Sequence, residues 1–470
     1  MTPHRRTIAW FRRDLRLTDN RMLEAATRDA LAWPVFVVDP QLVEENAAAI
    51  GRRAWFDASA RALDARLREH GSGLTVLHGP PEAVLRDFAR SVGADRVVAS
   101  ADEDPRAVAR DARVSGGLDL QLVDDQRVVA PAELRTTGGG PYTVYTPFRR
   151  ALESRIEADP DSGMRPAQPV LANLSPPSGD DEASLDGPVA PHGLPPAGEA
   201  AASDALDVFF GSGVEAYREG RDRPDRDATS HLSPHLRVGS LSVRAAWRAA
   251  IAGTKRAHDR GDAALARGVA SWRGELAWRE FFAHVLAAHP RLARESFRAE
   301  YDAIDWATGS EADELLDAWS TGQTGYPLVD AGMRQLMATG WMHNRARLVT
   351  ASFLVKDLGL AWRRGAAVFA RHLLDADLQQ NDGNWQWVAG VGTDAAPFFR
   401  IFNPTLQAKK FDPDGAYIRR WVPELEGVDE ERIHEPSKGG SPPRGYPPPV
   451  VDHAEARERT LARYRAISDG

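Results

Sequence analysis

The sequence predicts two domains of different class. The first is an α/β domain built on a doubly wound, Rossmann-like parallel sheet over residues 1–135. The second is an all-α domain over residues 205–470, and a linker over residues 136–204 joins them. Three observations carry this reading. Short apolar runs of strand length at 7–11, 32–38, 74–77, 96–99 and 118–123 alternate with helical patterns. Alternation of that kind builds a parallel sheet with helices on both faces. From 160 to 202 the chain is crowded with Pro, Gly, Ala and Ser, a composition too poor in large apolar groups to pin itself down. Beyond Asp204 the alternation stops and apolar residues recur at spacings of three and four, as in amphipathic helices.

Taken in order, T-T-G-G-G at 136–140 ends the α/β pattern, and 148–158 reads as one more helix. In the second domain the helical spacing is clearest at 244–251, 264–289, 329–338, 345–358 and 362–374. Residues 379–384 read as a polar turn. A proline-rich strap at 442–450 precedes a last charged helix at 454–466. A chain of 470 residues is too long for one core, and its 43% hydrophobic content is ample for two.

No apolar run approaches the length of a membrane span, and the N-terminus lacks the order of a signal peptide, so a soluble, cytoplasmic protein is expected. The absence of cysteine excludes disulfides, thiolate metal sites and a cysteine nucleophile, and no metal site is predicted. Tryptophan must then carry any side-chain redox role. The net charge of -8 argues against a polyanionic partner, yet residues 331–410 carry a net charge of roughly +5, enough for a basic patch.

The most informative stretch runs from Gly340 to Trp387. There W-M-H-N-R-A-R is followed by D-A-D-L-Q-Q-N-D-G-N-W-Q-W, which concentrates acids, amides, arginines and tryptophans. On composition alone the tryptophans would be core. The order of motifs says more. W-M-H-N-R (341–345), A-S-F-L-V-K-D (351–357), N-W-Q-W (384–387) and T-D-A-A-P-F-F-R-I-F-N-P (393–404) resemble the photolyase/cryptochrome family. So do F-R-R-D-L-R-L (11–17), T-S-H-L-S (229–233) and E-L-A-W-R-E-F (275–281), and the likeness covers nearly the whole chain. It is nearest to the class I cyclobutane pyrimidine dimer photolyases.

The resemblance implies FAD as cofactor, held by Tyr217, Thr229, Ser230, His231, Leu232, Ser233, Trp272, Glu275, Arg279, Asn344, Arg347, Asp375, Ala376, Asp377 and Asn381. Read alone, Thr229-Ser230 is as good an N-cap as a phosphate grip, and His231 stands where most members have Arg. Asp375 with Arg347 reads as a carboxylate–guanidinium pair. Asn381 lies where photolyases have Asn, plant cryptochromes Asp and animal cryptochromes Cys, and its amide suits the flavin's reactive ring nitrogen. Trp385, Trp362 and Trp306 match the three tryptophans that carry electrons from the surface to the flavin.

The implied substrate is UV-damaged DNA. Trp278 and Trp387 would wall the flipped lesion, Glu275 would stabilise its radical anion, and Arg221, Arg279, Arg345 and Arg400 would meet flanking phosphates. Asn344 after His343 points to cyclobutane dimers, since enzymes acting on (6-4) photoproducts carry a second His there. Leu348 departs from a frequent Met beside the substrate. The resemblance further implies an antenna chromophore in the α/β domain. Asp39, Arg53, Asp102 and Asp104 resemble an 8-hydroxy-5-deazaflavin pocket, with methenyltetrahydrofolate the alternative and helix capping the plain reading of the acids. A monomer without an obligate protein partner is expected. The rival functions are a cryptochrome photoreceptor, a (6-4) photolyase and a generic flavin oxidoreductase. The last is disfavoured because no second G-x-G-x-x-G fingerprint is present.

Overall fold

The computed structural model of the chain describes residues 5–159, 164–177, 185, 187–190, 193–394, 397 and 400–468. The predicted strands form as β1 (Arg5–Phe11), β2 (Ala30–Val38), β3 (Thr75–His78), β4 (Arg96–Ser100) and β5 (Leu120–Val123). They pair in parallel in the order β3-β2-β1-β4-β5. The order reverses at β1, so the carboxyl ends of β1 and β4 are where such a sheet opens a ligand crevice. From Thr7 to Phe11 every residue of β1 is buried, which is why this strand reads as an unbroken apolar run rather than an alternating one. Proline at the first turn starts the helices Pro40–Glu45, Pro81–Val92 and Pro105–Ser115, where its missing N–H costs nothing.

Two compact units divide the chain: Met1–Glu215 with Ser230–Pro290, and Ala216–Thr229 with Arg291–Gly470. This division does not follow the change of periodicity near residue 204. Helices Val243–Arg260 and Ala263–Ala288 cluster with the sheet because buried charges tie them to it. Arg244 is fully buried and donates to Asp125 (2.8 Å) and to the carbonyls of Asp125 and Arg127. Asp125 also receives Arg16 (2.6 Å), from the loop after β1. Buried charge is tolerated only when paired in this way.

The proline-rich stretch is better anchored than its composition predicts. Leu174 bridges to Ala32 of β2, Ser175 N–H donates to the Ala32 carbonyl (2.8 Å), and the Ala167 N–H donates to Asp19 (2.9 Å). Backbone hydrogen bonds hold these described pieces, and hydropathy does not report such bonds.

The regular structure of the second unit is helical, joined by longer irregular stretches such as residues 426–452. It includes Ser310–Ser320, Pro327–Thr339, Asn344–Ser352, Trp362–His372, Leu378–Ala389, Pro404–Phe411 and His453–Ser468. Two predicted elements differ. The helix expected over 345–358 ends in a widened π turn at Phe353–Asp357. Residues 379–384, expected as a turn, form the start of helix Leu378–Ala389, with Asp377 at its N-cap and Gly390 (φ 81°) closing it. No described helix is long and apolar enough to cross a membrane.

Candidate functional site

In the first unit the site is organised by helix Ala263–Ala288. Trp272, Glu275 and Arg279 recur at three- and four-residue spacing and so share one stripe of this helix, with Trp278 beside it. Trp272 is buried against Phe209 and Phe210 (5.5 and 5.1 Å between ring centroids). Its indole N–H donates to the Ser230 hydroxyl (3.3 Å), which sets the 230–233 turn. In that turn His231 has φ 51°, a left-handed conformation that non-glycine residues seldom adopt, while Leu232 is buried beneath it. Two residues from the exposed His231 imidazole, Ser233 starts helix Ser233–Val238.

Trp278 is a rigid element. The Tyr145 ring stacks on it at 3.6 Å with the planes 2° apart, and Phe281 meets it edge-on at 5.6 Å. The Tyr145 hydroxyl donates to the Gly274 carbonyl (2.8 Å), one residue ahead of Glu275. Burial pushes this phenol up to about 12, and the Glu275 carboxylate adds to the rise. Arg279 turns inward: it donates to the Gln126 carbonyl (3.0 Å) and lies 3.8 Å from the buried Glu280.

In the second unit, Tyr217 is buried under the Arg221 guanidinium, 5.6 Å from its ring centroid. Arg347 grips Asp375 through two parallel bonds (3.1 and 2.8 Å), the carboxylate–guanidinium pair expected from sequence. Ala376 and Asp377 follow, both buried, and the Asp377 carboxylate makes no capping bond to its own helix. Asn381 lies in the first turn of that helix. Its Nδ2 donates to the Ala366 carbonyl (3.1 Å) and to Asp382 (2.9 Å), which leaves Oδ1 as the atom able to accept from a ligand. Gln379, between Asp377 and Asn381 in sequence, has a buried Oε1 with no hydrogen-bond partner among the described residues. Such an orphaned acceptor calls for an N–H donor. Isoalloxazine and adenine rings carry N–H groups, so the residues present fit FAD.

His343 is buried and caps helix Asn344–Ser352 by accepting the Arg345 N–H at Nδ1 (3.1 Å). This places the exposed Asn344 at the helix start. Arg345 pairs with Asp222 (2.7 Å) and lies over Phe411 (4.1 Å), whereas Arg400 is exposed. Among the tryptophans, Trp385 and Trp362 are buried, and Trp306 and Trp387 partly so. Phe369 and Trp319 meet Trp385 edge-on at 5.0 and 6.1 Å. Gly365 lies so close that a Cβ there would fall 2.2 Å from the Trp385 ring. Trp319, Gly365 and Phe369 escaped the sequence reading; the signal was a glycine inside an otherwise strong helical pattern. Of the 393–404 run, residues 395, 396, 398 and 399 lie outside the described residues.

Within the α/β layer, Asp39 and Asp104 cap helices Pro40–Glu45 and Pro105–Ser115 through Gln41 N–H (3.0 Å) and Arg106 N–H (2.9 Å). Asp102 accepts from Arg13 (3.2 Å), and although burial works to raise it, Arg13 and its neighbours hold it at about 2. Arg53 lies in helix Ile50–Glu69 and is half-buried. The Trp10 ring between Arg12 and Arg110 (4.7 and 4.9 Å) was not anticipated.

Residues 7–169 match the family model described as DNA photolyase, and residues 272–466 match the FAD binding domain of DNA photolyase. The chain belongs to the DNA photolyase family. It is 41% identical to a deoxyribodipyrimidine photo-lyase of Agrobacterium fabrum over 98% of both chains. Its fold superposes on the crystal structure of a bacterial class III photolyase from Agrobacterium tumefaciens with a TM-score of 0.89 at 39% identity, covering 100% of this chain and 99% of that one. An archaeal photolyase from Sulfolobus tokodaii, solved with two FAD molecules, matches with a TM-score of 0.80 at 29% identity over 98% of this chain and all of that one. The motifs had pointed nearest class I, whereas the Agrobacterium structure is of class III.

Proposed function

We propose that the chain is a deoxyribodipyrimidine photo-lyase that reverses cyclobutane pyrimidine dimers in DNA under blue light. The observation that carries the reading is the polar and aromatic set of the FAD-binding region, with Asn344 after His343 and Asn381 in the Leu378–Ala389 helix. When bound, reduced and photoexcited FAD supplies one electron to the dimer and recovers it once the ring has opened, so no net redox change occurs.

The protein's part is to bind, orient and exclude water. Thr229–Ser233 and Tyr217 hold the diphosphate end. Asp375, held by Arg347, and Asp377 meet the ribityl and ring region, and Asn381 offers its Oδ1 to the ring N–H. Trp278, stiffened by Tyr145, and Trp387 provide apolar faces for the flipped bases. Glu275 hydrogen-bonds the pyrimidine carbonyls and stabilises the negative charge that develops there. Trp385, Trp362 and Trp306 return the cofactor to its reduced state. Arg221, Arg345 and Arg400 meet backbone phosphates, Arg345 by exchanging Asp222 for a phosphate.

Residues 1–135 carry an antenna chromophore in the crevice at the strand ends, an 8-hydroxy-5-deazaflavin before a methenyltetrahydrofolate. That the archaeal photolyase from Sulfolobus tokodaii was solved with two FAD molecules supports a second chromophore in the reading. The enzyme acts as a cytoplasmic monomer. The test is anaerobic blue-light repair of an oligonucleotide with one thymine cyclobutane dimer, with a dark control and a (6-4) substrate alongside. Light-dependent reversal of the dimer alone is expected; FAD binding without repair of either lesion would turn the reading towards a photoreceptor.

A further inference from the structure

The middle tryptophan of the relay has an unusual electrostatic setting. Trp362 is 2% exposed, and its indole N–H is buried with no hydrogen-bond partner among the described residues. The guanidinium of the next residue, Arg363, lies over the indole at 4.6 Å from the ring centroid. It is held there by hydrogen bonds, although part of the side chain remains open to solvent. Nε and Nη2 donate to the Arg294 carbonyl (3.1 and 2.7 Å), and Nη2 donates to Asp302 Oδ1 (3.1 Å). Asp302 is itself fixed by the backbone N–H and hydroxyl of Ser296 (3.1 and 2.7 Å).

A cation over a neutral indole is favourable, but over an oxidised indole it is repulsive; the indole is buried while the guanidinium is partly open to water, so the repulsion is moderated by solvent without being abolished. The orphan N–H adds a second constraint. With no acceptor among the described residues, an oxidised Trp362 cannot shed its proton and settle as a neutral radical. Trp306, half-buried and close to solvent, can.

We propose that Arg363, positioned by Arg294 and Asp302, makes Trp362 a transient stop that hands the hole outward to Trp306. The inference rests on the three-tryptophan reading above. The electrons balance as follows: one passes from Trp385 to photoexcited, oxidised FAD, one from Trp362 to Trp385, and one from Trp306 to Trp362. Oxidised Trp306 then loses its N–H proton to solvent, and an added thiol restores it by giving up a hydrogen atom. Asp302 tempers the effect of Arg363, so the two side chains act with opposite sign.

The experiment is transient absorption of tryptophan radicals in the FAD-loaded full chain, in a Trp306→Phe background where the hole stops at Trp362. Arg363→Gln should lengthen the lifetime of the charge-separated state and raise the ratio of oxidised Trp362 to oxidised Trp385 by at least about threefold. Asp302→Asn should shift both the other way. Repair by enzyme reduced beforehand with dithionite should be the same in parent and Arg363→Gln, which shows that the variant folds. An unchanged or shortened lifetime in Arg363→Gln, with that repair intact, overturns the proposal. If Trp306→Phe alone fails to hold the hole at Trp362, the relay reading itself falls and this inference falls with it.

Discussion

Glu275 and Trp278 lie one turn apart on the same helix, yet they should fail differently when replaced. In the proposed mechanism Glu275 contributes where charge develops during the reaction, so Glu275→Ala should lower the repair yield by roughly tenfold while changing dimer affinity little. Trp278, as proposed, contributes to the bound state, and Trp278→Ala should weaken dimer binding by about 1–3 kcal/mol through lost stacking. Affinity by filter binding and yield at saturating substrate separate the two; equal losses in both assays would contradict the division of roles. These two residues could be singled out from sequence because their motif stands whole in the chain. Tyr145 was not, although its ring covers Trp278, because a tyrosine 133 positions away carries no local signal of the partner it will stack on.

Helix Leu378–Ala389 shows what periodicity misses. Its first turns are polar, Q-Q-N-D-G-N, and so they read as a loop, although an N-capping residue type at 377 and a glycine at 390 bracket it correctly. A helix start this polar offers no apolar period to read, and a hydropathy pattern cannot tell a ligand from solvent. The neighbouring helix Trp362–His372 was legible in full, but the role of its glycine was not. Gly365 is the glycine of that helix, and the Trp385 ring leaves no room there for a methyl group. Gly365→Ala would gain helix propensity and still should destabilise the protein by about 1–3 kcal/mol, because a rigid indole backed by Phe369 and Trp319 cannot give way. Photoreduction of the flavin should slow with it. A melting temperature equal to or above that of the parent would show that the ring has space to move.

Over the whole molecule, the distribution of charge matters more than the total of -8. Among the arginines expected at phosphates, Arg400 is exposed whereas Arg279 is tied to the Gln126 carbonyl and faces Glu280. Arg400→Ala should therefore reduce the slope of log affinity against log salt by about 0.9, and Arg279→Ala should leave that slope alone while lowering stability. The sequence could not separate the two, since both are arginines beside aromatic motifs and only tertiary contacts distinguish them. The same interior sets a pH response. Burial pushes Glu280 up to about 7 despite Arg279 and the Val128 N–H, and burial together with the Glu280 charge pushes Asp124 to about 7. Both groups hold protons more tightly folded than unfolded, so between their ordinary carboxylate values and about pH 7 the native state carries the extra proton. Stability contributed by that proton is full at the acid end of this window and is lost as pH rises through it. Glu280→Gln, which can still accept the Val128 N–H through its amide oxygen, should flatten the loss. Unfolding free energies from urea titrations at pH 5 and pH 8 should differ less in the variant, by on the order of 2 kcal/mol, than in the parent. Asp102 and Asp125, both held at about 2, contribute in the opposite sense and only below that window, so they do not mask the difference. A parent protein equally stable at both pH values, with Glu280→Gln unchanged, would mean that the carboxylate is already ionised in the fold and that Arg279 outweighs its burial.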